Sequence, residues 1–135
     1  EEKADREIKE LPIPGEVFCS YGEFNTKIFP YDKQKIEEKK YTKWLDYDKI
    51  KNKLYIRTRQ PGDYLIINRE GSRKKLARVM IDDKIPGEER DLLPLIADGE
   101  EILWIAGGRI NERYKITSAT KRVLELNYKG GIVNE

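Results

Sequence analysis

The sequence predicts an α+β domain in which β-sandwich-like sheets pack against two short helices. Two observations lead to this fold class. Short stretches with apolar residues at every second position recur along the chain, and turn-forming Gly, Pro and Asp residues separate them. One interior segment instead has its apolar residues at helical spacing. Strands with helices inserted among them, without a repeated βα unit, are typical of the α+β class.

The first two strands are predicted on either side of Gly22. Apolar and polar residues alternate in 16–21 and again in 23–28, which is the period of a half-buried strand. The charged segment 31–43 has no clear period, so we expect an exposed loop or an edge strand there.

The next predicted strand has two different faces. Leu54 and Ile56 point to one side, while Arg57 and Arg59 point to the other. The sequence Gln-Pro-Gly-Asp at 60–63 then predicts a turn, because proline presets one backbone angle and glycine accepts a positive φ.

A helix is predicted over 73–83, with Ser72 at its start. Leu76, Val79 and Met80 would form its buried stripe, since they recur at helical spacing.

Three further elements follow along the chain. A second short helix is predicted over 87–93, because Pro86 suits the first turn of a helix. Asp98-Gly99 lies between two apolar runs and predicts a hairpin. Residues 121–128 predict a last strand.

The domain organisation is predicted to be a short leader followed by one domain. Residues 1–11 are highly charged, and we interpret them as the tail of a preceding helix or a linker. The Pro-Ile-Pro-Gly sequence that follows opens a domain predicted to span 12–135, a length that suits one compact unit.

The composition excludes several kinds of site. The chain has no histidine and one cysteine, Cys19, so it lacks the residues for Ser-His-Asp or Cys-His catalysis and for a zinc cluster. It cannot form an intrachain disulfide, and no apolar run approaches the roughly 18 residues of a membrane span. We therefore expect a cytoplasmic protein with no membrane partner, no metal and no catalytic residue of its own.

Positive charge is concentrated in one part of the chain, although the net charge is only +2. Between residues 57 and 78, seven Lys and Arg face two carboxylates, a local net charge of +5. Arg73, Lys74 and Lys75 would occupy the N-terminal end of the predicted helix, where cations oppose the helix dipole. Two interpretations stay open: a phosphate site, where cations and free N–H groups converge, or a solvated helix face.

Several motifs occur in an order that resembles the C-terminal domain of the tRNA(Ile)-lysidine synthetase family. They are an R-x-R-x-x-G-D turn, a K-K-L run, a D-x-K-I-P-x-x-x-R segment, a P-L pair, and a tryptophan strand followed by Gly and Arg. The matching residues are Arg57, Arg59, Gly62, Asp63, Lys74, Lys75, Leu76, Asp82, Lys84, Ile85, Pro86, Arg90, Pro94, Leu95, Trp104, Gly107 and Arg109. The resemblance covers about residues 45–128, with weaker support over 12–44.

The resemblance implies a function for the larger protein and a supporting role for this piece. The family uses ATP to attach lysine to the wobble cytidine of an isoleucine tRNA, and a separate N-terminal domain performs the catalysis. ATP and lysine are therefore expected to bind there, with no cofactor in this chain, which we expect to be inactive alone. The implied fold resembles a domain of the phenylalanyl-tRNA synthetase β subunit. The implied partners are tRNA(Ile) near its acceptor stem, the N-terminal catalytic domain and, as a further candidate, a second copy of the chain.

The charge pattern and the resemblance together nominate eight cations as RNA contacts. Arg73, Lys74, Lys75 and Arg78 come first, Arg57 and Arg59 next, and Arg109 and Arg113 last. One of Arg57 or Arg59 has an alternative role, in which it pairs with Asp63 and holds the turn. We expect Trp104 and Tyr114 to be core residues rather than base-stacking groups.

Two other functions stay open at this point. The domain could be a structural module that packs against the rest of its enzyme or forms a dimer, with incidental RNA contact. It could also be an editing hydrolase, for which the sequence offers no nucleophile–base pair.

Overall fold

The computed structural model describes residues 7–37 and 39–130. Within them the chain forms ten strands and one α-helix. In chain order these are β1 (Lys9–Glu10), β2 (Gly15–Cys19), β3 (Gly22–Pro30), β4 (Thr42–Asp46), β5 (Tyr55–Arg57), β6 (Tyr64–Ile66), β7 (Arg73–Lys75), α1 (Leu76–Asp82), β8 (Leu95–Asp98), β9 (Glu101–Ile105) and β10 (Arg122–Gly130). Single 3₁₀ turns lie at Tyr47–Lys49, Gly87–Glu89 and Glu112–Tyr114.

The strands form two sheets that enclose the main core. The larger sheet has the order β1-β5-β8-β9-β6-β7 and the smaller has the order β2-β3-β10-β4. Phe24, Leu45 and Leu126 of the smaller sheet pack with Ile56 and Trp104 of the larger one. This arrangement confirms the predicted α+β class with β-sandwich-like sheets.

Helix α1 covers the other face of the larger sheet. Its predicted stripe of Leu76, Val79 and Met80 is buried against Leu65 and Ile102 in a second core cluster. The larger sheet is therefore the middle layer of the domain. No helix in the described ranges is long and apolar enough to span a membrane.

Strand β10 occupies the centre of the smaller sheet. It pairs antiparallel with β3 along its whole length, and with β4 from Val123 to Asn127. Its residues Val123, Leu124 and Leu126 are fully buried. The strand predicted at 121–128 is thus confirmed, and it joins β3 to β4.

The helix predicted over 73–83 is wrong in its first turn. Residues 73–75 form β7, an edge strand that pairs antiparallel with β6. Ser72 does not start a helix, because its N–H donates to the Asn68 side chain (3.1 Å) and its carbonyl accepts from Ile67 (3.0 Å), closing the β6–β7 hairpin. Gly71 supports this turn with φ +87°. The helix itself begins only at Leu76.

The leader prediction also needs correction. Residues 1–6 lie outside the described residues, so that part stays a prediction. Lys9 and Glu10, however, form β1 and pair with β5, and the N–H of Leu11 donates to the Leu54 carbonyl at 2.9 Å. Leu11 is 2% exposed in the main core. Residues 9–11 therefore join the larger sheet rather than continuing a helix.

The other local predictions agree with the structure, with one shortened element. The hairpin at Gly22, the turn at 60–63 and the two-residue hairpin loop after Asp98 all form. The second helix is reduced to the 3₁₀ turn Gly87–Glu89, because the chain must enter the buried strand β8 soon afterwards.

We expect Leu103→Ala to lower the free energy of unfolding by about 2–5 kcal/mol, because it opens a cavity between the two sheets. Leu92→Ala is the matched control. Leu92 is 70% exposed, so its loss should change stability by no more than about 0.5 kcal/mol. Urea unfolding followed by circular dichroism measures both, and equal losses would contradict the assigned core.

Candidate nucleic-acid interface

A buried ion pair organises the region that carries the predicted site. The Nη1 and Nη2 atoms of Arg57 donate to the two carboxylate oxygens of Asp63, each at 2.9 Å. The side chains are 7% and 1% exposed. Arg57 also donates to the carbonyls of Thr58 (3.0 Å) and Gly99 (2.7 Å). Such paired, planar hydrogen bonds are strong and fix geometry as well as charge.

We call the Arg57–Asp63 pair and its hydrogen bonds the clasp. Asp63 connects this clasp to the turn and to the helix. Its carboxylate accepts the N–H of Gln60 at 2.8 Å, and its carbonyl accepts the N–H of Leu76 at 2.9 Å. Glycine suits position 62 because its φ is +94°, a backbone conformation that residues with a side chain rarely adopt. The R-x-R-x-x-G-D pattern is therefore a structural motif here.

The clasp answers the question left open for Arg57 and Arg59. Arg57 is the residue that pairs with Asp63, and its buried guanidinium is unavailable to a surface ligand. Arg59 stays partly exposed, but its Nε donates to Asp91 at 2.8 Å. We therefore remove Arg57 from the candidate RNA contacts.

The strand geometry of β7 separates cations that a helix would have grouped. Side chains alternate along a strand, so Arg73 and Lys75 share a face with Tyr64 and Ile66, while Lys74 lies on the opposite face. The dipole conflict predicted from the sequence disappears, because these residues precede the helix rather than open it.

On the helix side, the positive charge is neutralised locally. Asp82 accepts a close hydrogen bond from Lys74 and lies 3.4 Å from the Nε of Arg78. The hydrogen bond from Lys74 lowers the pKa of Asp82. Lys74 therefore offsets the unfavourable position of Asp82 at the helix C-terminus.

On the face of β7 that carries Arg73 and Lys75, the positive charges have no carboxylate partner among the described residues; we call these cations open. The guanidinium carbon of Arg73 lies over the Tyr64 ring, 4.0 Å from its centre, which is within the range of a cation–π interaction. Within the described ranges, neither Arg73 nor the exposed Lys75 has a carboxylate within salt-bridge distance. Sequence reasoning missed Tyr64, because its place depends on the β6–β7 pairing, in which it lies directly opposite Lys75 and diagonal to Arg73.

The remaining two candidates are also engaged. Arg109 donates to the Asp83 carboxylate, and this hydrogen bond raises the pKa of Arg109. Arg113 donates to Glu101 at 2.9 Å. Trp104 and Tyr114 are buried, as predicted, and burial raises the pKa of Tyr114 to about 12. Among the eight nominated cations, Arg73 and Lys75 are thus the pair without a carboxylate partner in the described structure.

Comparisons with known proteins agree with this fold. Residues 54–126 match the family model described as TilS substrate C-terminal domain. The chain is 38% identical over 122 residues to a tRNA(Ile)-lysidine synthase of Caldanaerobacter subterraneus, covering 87% of the chain and 26% of the relative. It is 43% identical over 97 residues to one of Clostridium perfringens, covering 72% of the chain and 20% of the relative. A solved structure titled "Crystal structure of TILS C-terminal domain" superposes with a TM-score of 0.75 at 25% identity, covering 94% of this chain and 98% of that one.

The fold and the matches place the chain in the class of substrate C-terminal domains. The chain belongs to the family of tRNA(Ile)-lysidine synthase C-terminal domains. It spans about a quarter of the length of the curated relatives that it matches.

We expect Asp63→Asn to lower the free energy of unfolding by about 3–5 kcal/mol, because it leaves the buried Arg57 charge without its partner. Asp91→Asn is the matched control, since it breaks the exposed Arg59 pair and should cost at most about 1 kcal/mol. Thermal and urea unfolding compare the two variants. Similar losses would show that the clasp does not hold the domain together.

Proposed function

We propose that this domain binds tRNA(Ile), near its acceptor stem, and positions it for lysine attachment to the wobble cytidine by a separate N-terminal domain. In this proposal ATP and lysine bind to that N-terminal domain, and the chain described here is not catalytic. A tRNA substrate implies a cytoplasmic location. Membership of the tRNA(Ile)-lysidine synthase family supports the proposal.

The observation that carries the proposal is the open charge on the Tyr64 face of β7. Arg73 lies over the Tyr64 ring, and Lys75 extends from the same face at the edge of the sheet. Duplex RNA is recognised mainly through phosphates, 2′-hydroxyls and shape rather than base edges. Cations that are fixed in position and free of carboxylates suit phosphate contact.

The paired candidates have a smaller part in this proposal. Lys74 and Arg78 share Asp82, and Arg59, Arg109 and Arg113 each pair with a carboxylate. An RNA phosphate would have to compete with those carboxylates for the same donors. We therefore rank Arg73 and Lys75 above the other five.

We expect Arg73→Gln with Lys75→Gln to weaken binding of a tRNA(Ile) transcript to the 135-residue chain. The plot of log K against log salt should become shallower by roughly 1.5, because two phosphate contacts are lost. Fluorescence anisotropy across a KCl series measures both quantities. Lys27→Gln with Lys129→Gln removes the same charge from the smaller sheet and should leave the slope unchanged. Equal slopes for the two double variants would contradict the assigned face.

A second candidate function, an interdomain or dimerisation module, has one observation in its favour. Ile81 is 48% exposed and Leu92 is 70% exposed, both in the segment that follows the helix stripe. A protein-contact surface requires these side chains to form one contiguous apolar patch, which this candidate function assumes.

If this segment joins two copies, sedimentation velocity at micromolar concentrations should give a dimer, and Ile81→Ser with Leu92→Ser should convert it to a monomer. The control Phe18→Ser changes an exposed apolar residue on the edge strand β2 and should leave the dimer intact. A wild-type chain that stays monomeric would contradict the dimer form of this function.

A further inference from the structure

A cationic cavity continues the open face from Arg73. The β6–β7 turn, the 3₁₀ turn Glu112–Tyr114 and the loop 116–118 line a surface cavity of about 830 Å³. Ile66 forms part of its lining and pairs directly with Arg73 across β6 and β7. Paired residues in an antiparallel ladder point to the same face, so Arg73 lies on the face of the sheet that carries this cavity, opposite one of its lining residues.

The charge of the lining distinguishes this cavity. Lys49, Arg69 and Arg113 oppose one carboxylate in the lining, Glu112, which gives the lining a net formal charge of +2. Arg113 is paired with Glu101 outside the lining, so Lys49 and Arg69 carry the uncompensated charge. Glu112 is itself paired with Lys115 at 2.6 Å. In the described part of the chain, no carboxylate lies within salt-bridge distance of Lys49 or Arg69.

Three neighbouring cavities differ in charge. The cavity at the 60–63 turn and the cavity beside Trp44 each have equal numbers of cations and carboxylates in their linings. The cavity beside Arg122 has three cations and two carboxylates, a net charge of +1, and shares Lys49 and Thr117 with the +2 cavity. Positive charge therefore runs in a track from Arg69 through Lys49 to Lys121.

The walls of the cavity are fixed by hydrogen bonds within the domain. On one side, Asn68 closes the β6–β7 turn through its side-chain bond to Ser72. On the other, Thr120 donates to the buried Asp46 at 2.9 Å and accepts the Thr117 N–H at 2.9 Å. Walls that are ordered before binding reduce the entropy cost of holding a ligand.

Polar groups and one further cation lie at the rim. Asn68, Thr117 and Ser118 line the cavity and offer amide and hydroxyl groups. Lys33 lies at the same rim, since its Nζ donates to the Ser118 carbonyl at 3.0 Å. Neutral donors interleaved with cations are typical of contacts to phosphate and sugar oxygens.

We propose that this cavity holds the phosphodiester backbone of the bound RNA, with Lys49 and Arg69 as its phosphate contacts and Arg73 at its entrance. This inference rests on the proposed function and adds two contact residues to it. A track of cations along a surface, rather than one concave point, matches a polyanion whose charges repeat along its length. The proposal therefore directs the RNA away from the helix face, where Asp82 and Asp83 engage the cations.

The test is a salt series of tRNA(Ile) transcript binding to the 135-residue chain carrying Lys49→Gln with Arg69→Gln. We expect weaker binding and a log K against log salt slope that is shallower by roughly 1.5, for the loss of two phosphate contacts. Both side chains are exposed, so the thermal midpoint should not change. The Lys27→Gln with Lys129→Gln chain again controls for net charge.

The outcomes separate this inference from the proposed function. A shallower slope for the cavity variant beside an unchanged charge control supports the cavity. If the cavity variant binds like that control while the Arg73 and Lys75 variant is weakened, the cavity inference is overturned and the proposed function stands. If the wild-type chain shows no salt-dependent binding of the transcript, both are overturned.

Discussion

The buried pair of Arg57 and Asp63 is the interaction on which the rest of the candidate interface depends. It connects strand β5, the turn before β6, the β8–β9 hairpin and the first N–H of the helix through hydrogen bonds of 2.7–2.9 Å. A charge of this kind is costly to bury, so it is tolerated only where both partners and their remaining donors are satisfied. Because β6 follows this turn directly, the pair fixes where β7 can lie. The positions of Arg73 and Lys75 on β7 therefore depend on Arg57 and Asp63, which are themselves buried.

The charge pattern of the surface follows from partners that are distant in the sequence. Between residues 57 and 78 the chain has a local charge of +5, yet carboxylates from beyond that range neutralise much of it. Asp82 and Asp91 supply this compensation on the helix side of the larger sheet. The opposite face keeps its charge, because Arg73 rests on an aromatic ring instead of a carboxylate. Because side chains alternate along β7, Lys74 is paired with Asp82 on one face, while Arg73 and Lys75 keep their charge on the other.

Much of the fold could be predicted because the signals are local. The alternation around Gly22, the helical spacing of Leu76, Val79 and Met80, and the Asp98-Gly99 loop each depend on a few neighbouring residues. The strand at 73–75 could not be predicted in this way. The sequence Arg-Lys-Lys has no apolar periodicity, and it forms a strand by pairing with β6. The basic region that carries the candidate site could be predicted, but which of its cations lack a carboxylate partner could not. Which cations stay open depends on salt bridges that span as many as 32 residues, such as the one between Arg59 and Asp91.

Because β10 lies between β3 and β4, it determines the order in which the smaller sheet can assemble. Strands β3 and β4 have no ladder with each other. Both are joined through β10, which begins at Arg122, 76 residues after the end of β4 at Asp46. Until residues 122–130 have been synthesised, the β2–β3 hairpin and β4 have no shared partner. Phe24 and Leu45 then also lack Leu124 and Leu126, the β10 residues of their core cluster. Long-range pairing of this kind delays folding, because the chain must close a large loop before the contacts stabilise it. The smaller sheet can therefore form only after β10 has been made, whereas the β8–β9 hairpin of the larger sheet can form as soon as its own residues have been made.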